Sequence, residues 1–411
     1  MFIVKNQFGF LIVFILFCNS LYSQMVNHEV KLEDTNLISF NLRVDSNWPK
    51  VAFGSNISRD ISLVGIGEVT HGGYEPIVFK TKLVKYLISS RGFNLLLFEY
   101  PDLEIFGRLR SYINSSIGSP KSVESCDGIV REMKFLPYFY QDILIELIDW
   151  IHRYNLNHKK KVQIYGFDFL YKKNFYNYFI NKYLYRIDSS FANELTNNWL
   201  KSTPDDLIKI NFLSRYFKEN KKLFRLKNFN IFDISFELKC ELNRLQFMKL
   251  KEEDDASYLH THPEVHFRDS ILAEDIKLLS YKNKAIIWAH NNHVVNKKGL
   301  TGGFLQTWLN EKYYSIVTDY TLFANVNIGN LESEDNGRRE YFIKKIKSFK
   351  NSTVFNLYNS FGITNAIVFK NYFKGKPIFL NEIDLFGRHY LLQTNDNGVN
   401  ALAIFDTIST R

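Results

Sequence analysis

Cysteine is scarce in this 411-residue chain: only Cys18, Cys126 and Cys240 occur. Two widely spaced thiols beyond the N-terminal region do not define a disulfide framework. Three nucleotide and nucleophile signatures are also missing. There is no G-x-S-x-G elbow, no P-loop and no G-x-G-x-x-G, and neither Cys126 nor Cys240 has a histidine beside it in sequence. Direct attack by water thus becomes the natural reading. Charge of one sign is not gathered anywhere. The net charge is +9, but lysines such as Lys159 to Lys161, Lys221, Lys222, Lys344 and Lys345 are scattered without a basic stripe. That pattern describes a solvated surface and gives no nucleic-acid partner.

Long apolar runs are lacking too. Phe8 to Cys18 is eleven residues of apolar side chains or Gly, preceded by Lys5 and followed by polar Asn19 and Ser20. A spanning helix needs about 20 apolar residues, so this reads as a secretory leader with cleavage after Ser23. Phe17 is too bulky for the position before a lipidated Cys18. The expectation is a leader over residues 1–23, no stable membrane span after its removal, and a secreted or periplasmic protein over residues 24–411.

Aromatic side chains are abundant. With 45% apolar residues, 37 Phe and 24 Tyr, the chain buries a large core and is not disordered. Apolar runs at 61–67, 94–99, 162–168, 284–289 and 313–319 predict strands, with later ones at 364–369 and 401–406. Between the first two, Leu83, Val84, Leu87 and Ile88 share a helical face that Gly92 terminates, giving a parallel βαβ unit. Residues 101–157 read as helical. Residues 170–280 contain no convincing strand, and Ile231, Ile234, Leu238, Leu242, Leu245 and Met248 recur at helical spacing. The fold class is thus α/β, layered α/β/α, with a mainly parallel sheet and a large helical insertion that forms a lid or substrate wall. Lys251 to Pro263 reads as a polar loop.

Open α/β sheets build their sites at strand exits. Here Glu68 and His71 follow the first strand, Glu99 the second, Asp168 the third and His290 the fourth. A histidine oriented by a carboxylate can take a proton from water; the bland alternative is a helix-capping Thr70 beside a surface His71. If the βαβ unit holds, Glu68 and Glu99 end adjacent strands. Asp168 can orient a substrate hydroxyl or cap the next helix. Arg268 and Lys80 each lie on the apolar face of a helix, where they pair with carboxylates or stabilise an oxyanion. His293 adds an imidazole three residues beyond His290. The set Glu68, His71, His290 and His293 also has the composition of a zinc site.

In order along the chain stand G-E-V-T-H-G-G, L-L-L-F-E, W-I-H-R-Y-N, Y-G-F-D, F-R-D-S-I-L-A-E and W-A-H-N-N-H. Together these resemble the erythromycin esterase family over residues 60–320, and more weakly through Phe386, Gly387 and Arg388. The resemblance implies an ester or lactone hydrolase that uses activated water, with no cofactor and no required metal. It implies His71 as general base with Glu68, Glu99 as second carboxylate and His290 as the late catalytic histidine. Arg268, Lys80, His293 and Asp168 are then the residues around the substrate. Lys80 stands where the family has arginine, which keeps the charge but loses the bidentate fork. Besides this small-molecule hydrolase, the sequence leaves open a metal-dependent hydrolase and a non-catalytic ligand-binding or polysaccharide-related protein. An antibiotic-resistance role is one possible use of the esterase chemistry.

Overall fold

The structure, a computed structural model, describes residues 37–42, 47–101, 104–116, 124–133, 136–169, 175–253, 263–329, 341–363, 365–383, 388–395 and 397–410. The leader expected over residues 1–23, with Cys18, lies outside them, as do Phe386 and Gly387. The polar loop expected over 251–263 falls partly outside as well: one helix continues to Glu253 and the next begins at Pro263.

Eleven strands are described: β1 (Leu37–Ser39), β2 (Leu63–Glu68), β3 (Leu95–Pro101), β4 (Gln163–Asp168), β5 (Ala285–His290), β6 (Tyr313–Gly329), β7 (Tyr341–Lys347), β8 (Ala366–Phe369), β9 (Ile378–Ile383), β10 (His389–Thr394) and β11 (Ala401–Ile408). The main sheet runs β1-β8-β11-β6-β2-β5-β3-β4, with β7 added to β6. Neighbours from β11 to β4 are parallel, whereas β1, β8 and β7 join antiparallel. β9 and β10 form a separate antiparallel hairpin.

Alternation of side chains divides the core between the two sheet faces. Val64, Ile66, Leu96, Phe98, Ile286 and Trp288 pack with the helices Tyr74–Arg91, Glu104–Ile113 and Tyr138–Asn157 on one face. Leu63, Leu95, Leu97, Ala285 and Ile287 pack with Pro263–Leu279, Thr301–Leu309 and Thr353–Phe361 on the other. This is the layered α/β/α arrangement expected. Between β4 and β5 the described residues of the insertion form helices joined by turns, with no strand among them, and Phe179, Leu184, Leu213, Phe224 and Ile234 give it an apolar cluster of its own.

Two local expectations are corrected. β2 and β3 are parallel but not adjacent, because β5 lies between them. A central position demands a strand that is apolar on both faces, and β5, buried at all six residues, meets that demand. Thr70 does not cap the following helix, since Gly73 occupies the N-cap and the Thr70 hydroxyl accepts a hydrogen bond from the Gly72 amide at 3.1 Å. Gly92 does end that helix, at φ 73° in the left-handed region where glycine carries no Cβ penalty.

Close approach at the exit of β2 requires glycine at position 67. A Cβ there would stand 2.4 Å from Asn291 Oδ1 and 2.9 Å from Asn291 Cα. Gly67→Ala is expected to lower stability by about 1–3 kcal/mol through overpacking, read as a reduced urea midpoint with unchanged slope.

Candidate active site

The main-sheet register brings the strand-end residues together. Glu68 lies opposite His290, Phe98 opposite Trp288, and Pro101 opposite Asp168. Interposing β5 between β2 and β3 puts His290 between Glu68 and Glu99, so the late histidine sits between the two carboxylates.

Glu68 is fully buried. Its Oε2 accepts from Lys80 Nζ at 2.8 Å, and its Oε1 makes a very short contact with His71 Nδ1. Burial opposes its charge, but Lys80 and His71 outweigh that and hold its pKa below the usual carboxylate value. Lys80 is fully buried on the helix Tyr74–Arg91. It also donates to the Ala289 carbonyl at 2.9 Å and lies 4.6 Å from the centre of the Trp288 ring. Burial lowers its pKa to about 8 despite Glu68. The Lys80 ammonium therefore lies beneath Glu68 and acts on the site through that carboxylate.

His71 is more open, with 19% of its side chain exposed. Burial disfavours the charged ring, yet contact with Glu68 and the nearby Glu99 charge raise its pKa above the ordinary value. Only Nδ1 has a partner among the described residues. Nε2 is left for a ligand.

Glu99 is committed on both oxygens. Oε2 accepts the His290 amide at 2.8 Å, and Oε1 lies 3.1 Å from His293 Nε2 and 3.8 Å from Arg268. Against the cost of burial, His293, His71 and Arg268 keep it well below the usual carboxylate range. His293 donates from Nδ1 to Asp269 at 2.8 Å; burial opposes its charge, but Glu99 and Asp269 raise its pKa to about 10. Arg268 pairs with Asp168 at 2.9 Å, and its Nε–H has no acceptor among the described residues. Asp168 accepts the Phe169 amide on its other oxygen at 2.7 Å. It thus anchors an arginine at the strand end.

His290 behaves differently from the other two imidazoles. Burial and the neighbouring His71 lower its pKa to about 4. Nε2 meets the Ile383 carbonyl at 3.2 Å, and Nδ1 lies 3.2 Å from Glu382 Oε2. Both partners belong to β9. With the nitrogens of His290 and His293 already facing protein groups, Glu68, His71, His290 and His293 do not converge their lone pairs on one point. Among the described residues no group of three or more His, Cys, Asp or Glu has metal-holding geometry.

All eight residues singled out in the sequence fall in this connected cluster. Asn291 of the W-A-H-N-N-H motif joins it, and Asp269 and Glu382 complete it without having been singled out. Asp269 has a readable signal, since it follows Arg268 on the same helix. Glu382 has little, being one acid at the end of I-F-L-N-E-I.

No protein-family model matches the sequence. A solved Bacillus cereus protein superimposes with a TM-score of 0.68 at 19% identity, covering 91% of this chain and 96% of that one. A solved succinoglycan biosynthesis protein gives 0.64 at 19%, covering 91% and 95%. A mutant of erythromycin esterase EreC in its open conformation gives 0.62 at 17%, covering 91% and 98%. The chain has the erythromycin esterase-like fold. In sequence, the Bacillus subtilis (strain 168) protein named "Putative hydrolase YbfO" is 24% identical over 272 residues, 59% of this chain and 58% of that protein. The match thus spans little more than half of that relative.

The His293 environment carries a pH signature. Its pKa is about 10 in the folded protein against 6.5 ordinarily, so the folded state holds a proton that the unfolded chain releases across that interval. The stability contributed by the charged ring is complete below about pH 6.5 and is lost as pH rises through about 10. Asp269→Ala is expected to cost about 3–5 kcal/mol at neutral pH and to shrink the decline in urea midpoint between pH 6 and 10.

Proposed function

We propose that this chain is a hydrolase that cleaves a carboxylic ester or lactone with water deprotonated by His71. The carrying observation is the partly exposed His71 ring, held through Nδ1 by fully buried Glu68, with Nε2 unoccupied. Glu68 fixes the tautomer and stabilises the imidazolium, the part an acid plays beside histidine in hydrolase triads. Nε2 takes a proton from water, and the resulting hydroxide adds to the ester carbonyl carbon. When the tetrahedral intermediate collapses, the C–O bond breaks and the His71 imidazolium returns its proton to the departing alkoxide. Arg268, 17% exposed and more open than Lys80 or His293, supplies positive charge for the oxyanion. Glu99 keeps Arg268 and His293 in place. Because Nε2 of His290 is bonded to β9 and its Nδ1 faces Glu382, its part in this scheme is to pack against His71, with ring centres 5.2 Å apart.

The fold of erythromycin esterase EreC and the hydrolase name of the Bacillus subtilis relative support the reaction class. EreC also makes a bulky lactone the first substrate to try. Export through the leader over residues 1–23 belongs to the same proposal, and puts the reaction outside the cytoplasm.

Mature protein incubated with macrolides, simple lactones and simple esters in ¹⁸O-labelled water is expected to yield a product carboxylate containing the label. His71→Ala should lower kcat/KM by roughly 10²- to 10⁴-fold. Activity should fall on the acid side with a midpoint above 6.5, because the raised pKa of His71 keeps the base protonated to higher pH. Undiminished turnover in His71→Ala overturns the assignment.

A further inference from the structure

Strand β9 is not part of the main sheet, yet three consecutive residues in it each bind at a different strand of that sheet, one within β6 and two just beyond β5 and β2. Asn381 donates from its backbone to Asp319 Oδ2 at 3.0 Å and from its side chain to Oδ1 at 2.9 Å, at β6. Glu382 Oε1 accepts from Asn291 Nδ2 at 2.9 Å, just beyond β5. The Ile383 amide donates to the Val69 carbonyl at 3.0 Å, just beyond β2. The hairpin thus docks over the crevice through polar contacts, and His290 sits inside that docking.

A carbonyl can only accept, so the 3.2 Å contact with Ile383 puts a hydrogen on His290 Nε2. In a neutral ring Nδ1 is then a bare acceptor. The atom beside it, 3.2 Å away, is Glu382 Oε2. Glu382 is fully buried, and Oε2 receives no hydrogen bond from any described residue. An ionised oxygen left without a donor in such a place is strongly disfavoured, whereas a protonated one needs only an acceptor. Nδ1 supplies it.

We propose that Glu382 is a positioning residue of this site, a buried carboxylic acid that donates its proton to His290 Nδ1 and fixes the ring as the neutral Nε2–H tautomer. Burial raises Glu382 well above the usual carboxylate range, with nearby Asp319 adding to the effect, and burial lowers His290 to about 4. Charged and titratable groups approach the pair from every side: His71 beyond β2, Glu68 in β2, Glu99 in β3, His293 beyond β5 and Asp319 in β6. The consequence falls on His71. A cationic ring at position 290 would repel the proton that His71 must accept, whereas a neutral ring leaves His71 to titrate under the control of Glu68. The tautomer stands on geometry alone; its kinetic effect rests on the hydrolase reading above.

Histidine-selective ¹⁵N NMR of the mature protein tests the tautomer without a substrate, with the His290 signals assigned as those lost in His290→Asn. The expected spectrum at pH 7 has one protonated nitrogen, Nε2, and one bare nitrogen, Nδ1. A doubly protonated ring, or a proton on Nδ1 instead, overturns the proposal. Glu382→Gln keeps an uncharged donor and is expected to preserve the tautomer, while Glu382→Leu removes the donor and should mix the two tautomers. With an ester turned over by the parent protein, Leu should lower kcat by roughly 10- to 100-fold and Gln should recover most of that loss. A fall in the His290 pKa in Glu382→Gln would mean that Glu382 is ionised in the parent, and would also overturn the idea. If the parent cleaves no ester, the hydrolase reading fails while the spectrum still decides the tautomer.

Discussion

A buried carboxylate at the exit of β2 sets the terms for the surrounding structure. Glu68, withdrawn from water, needs compensating charge and donors on both oxygens. Lys80 meets one of them from the helix Tyr74–Arg91, and the same ammonium donates to Ala289, which joins that helix to the end of β5. His71 meets the other. The turn between strand and helix therefore has to bring position 71 back over position 68, and Gly72 allows it by passing close to Asn327 of β6. One desolvated acid thus fixes a helix, a turn and the orientation of the His71 imidazole, whose Nε2 is free of partners among the described residues.

From that acid outward, charges alternate. Glu99 lies against His293 and Arg268, and these in turn lie against Asp269 and Asp168. Glu99, His293, Arg268 and Asp269 are each held charged by neighbours of opposite sign although burial opposes it. Three histidines within this network reach different states from the same side-chain chemistry. His71 is raised by Glu68, His293 is raised between two carboxylates, and His290 is lowered by burial and the neighbouring His71. Separating pKa values by environment is how one site can contain a base, a fixed cation and a neutral support.

Much of this was legible in the sequence because apolar strands that end in a charged residue announce a sheet edge. Glu68, Glu99, Asp168 and His290 all lie at such exits. Lys80 and Arg268 were legible as inward cations, since each shares a helical face with buried aliphatic residues. Lateral strand order was not. Whether β3 pairs with β2 or leaves a gap depends on β5, nearly 200 residues later, and local periodicity carries no information about that choice. β9 and β10 were missed for a related reason: their buried apolar residues Ile378, Leu380, Ile383 and Leu392 are interrupted by polar ones such as Asn381 and Glu382, whose partners lie on other strands. Glu382 and Asp319 became visible only once the hairpin was seated.

The arrangement also limits what His71 can activate. A protein nucleophile would need a hydroxyl or thiol near its open nitrogen, and among the described residues no hydroxyl or thiol hydrogen-bonds to it. Thr70 accepts from the Gly72 amide, and Thr318 accepts from the Val69 amide, so both are used in holding the turn that presents His71. Cys126 is buried on the helix Cys126–Arg131 and Cys240 in the insertion, and neither is part of the strand-end cluster. Glu68 is closed off by Lys80 and Glu99 by His290, His293 and Arg268, which removes the carboxylates as attacking groups. In the mechanism proposed above, the oriented imidazole with its open nitrogen therefore acts on a molecule from solvent, which is water.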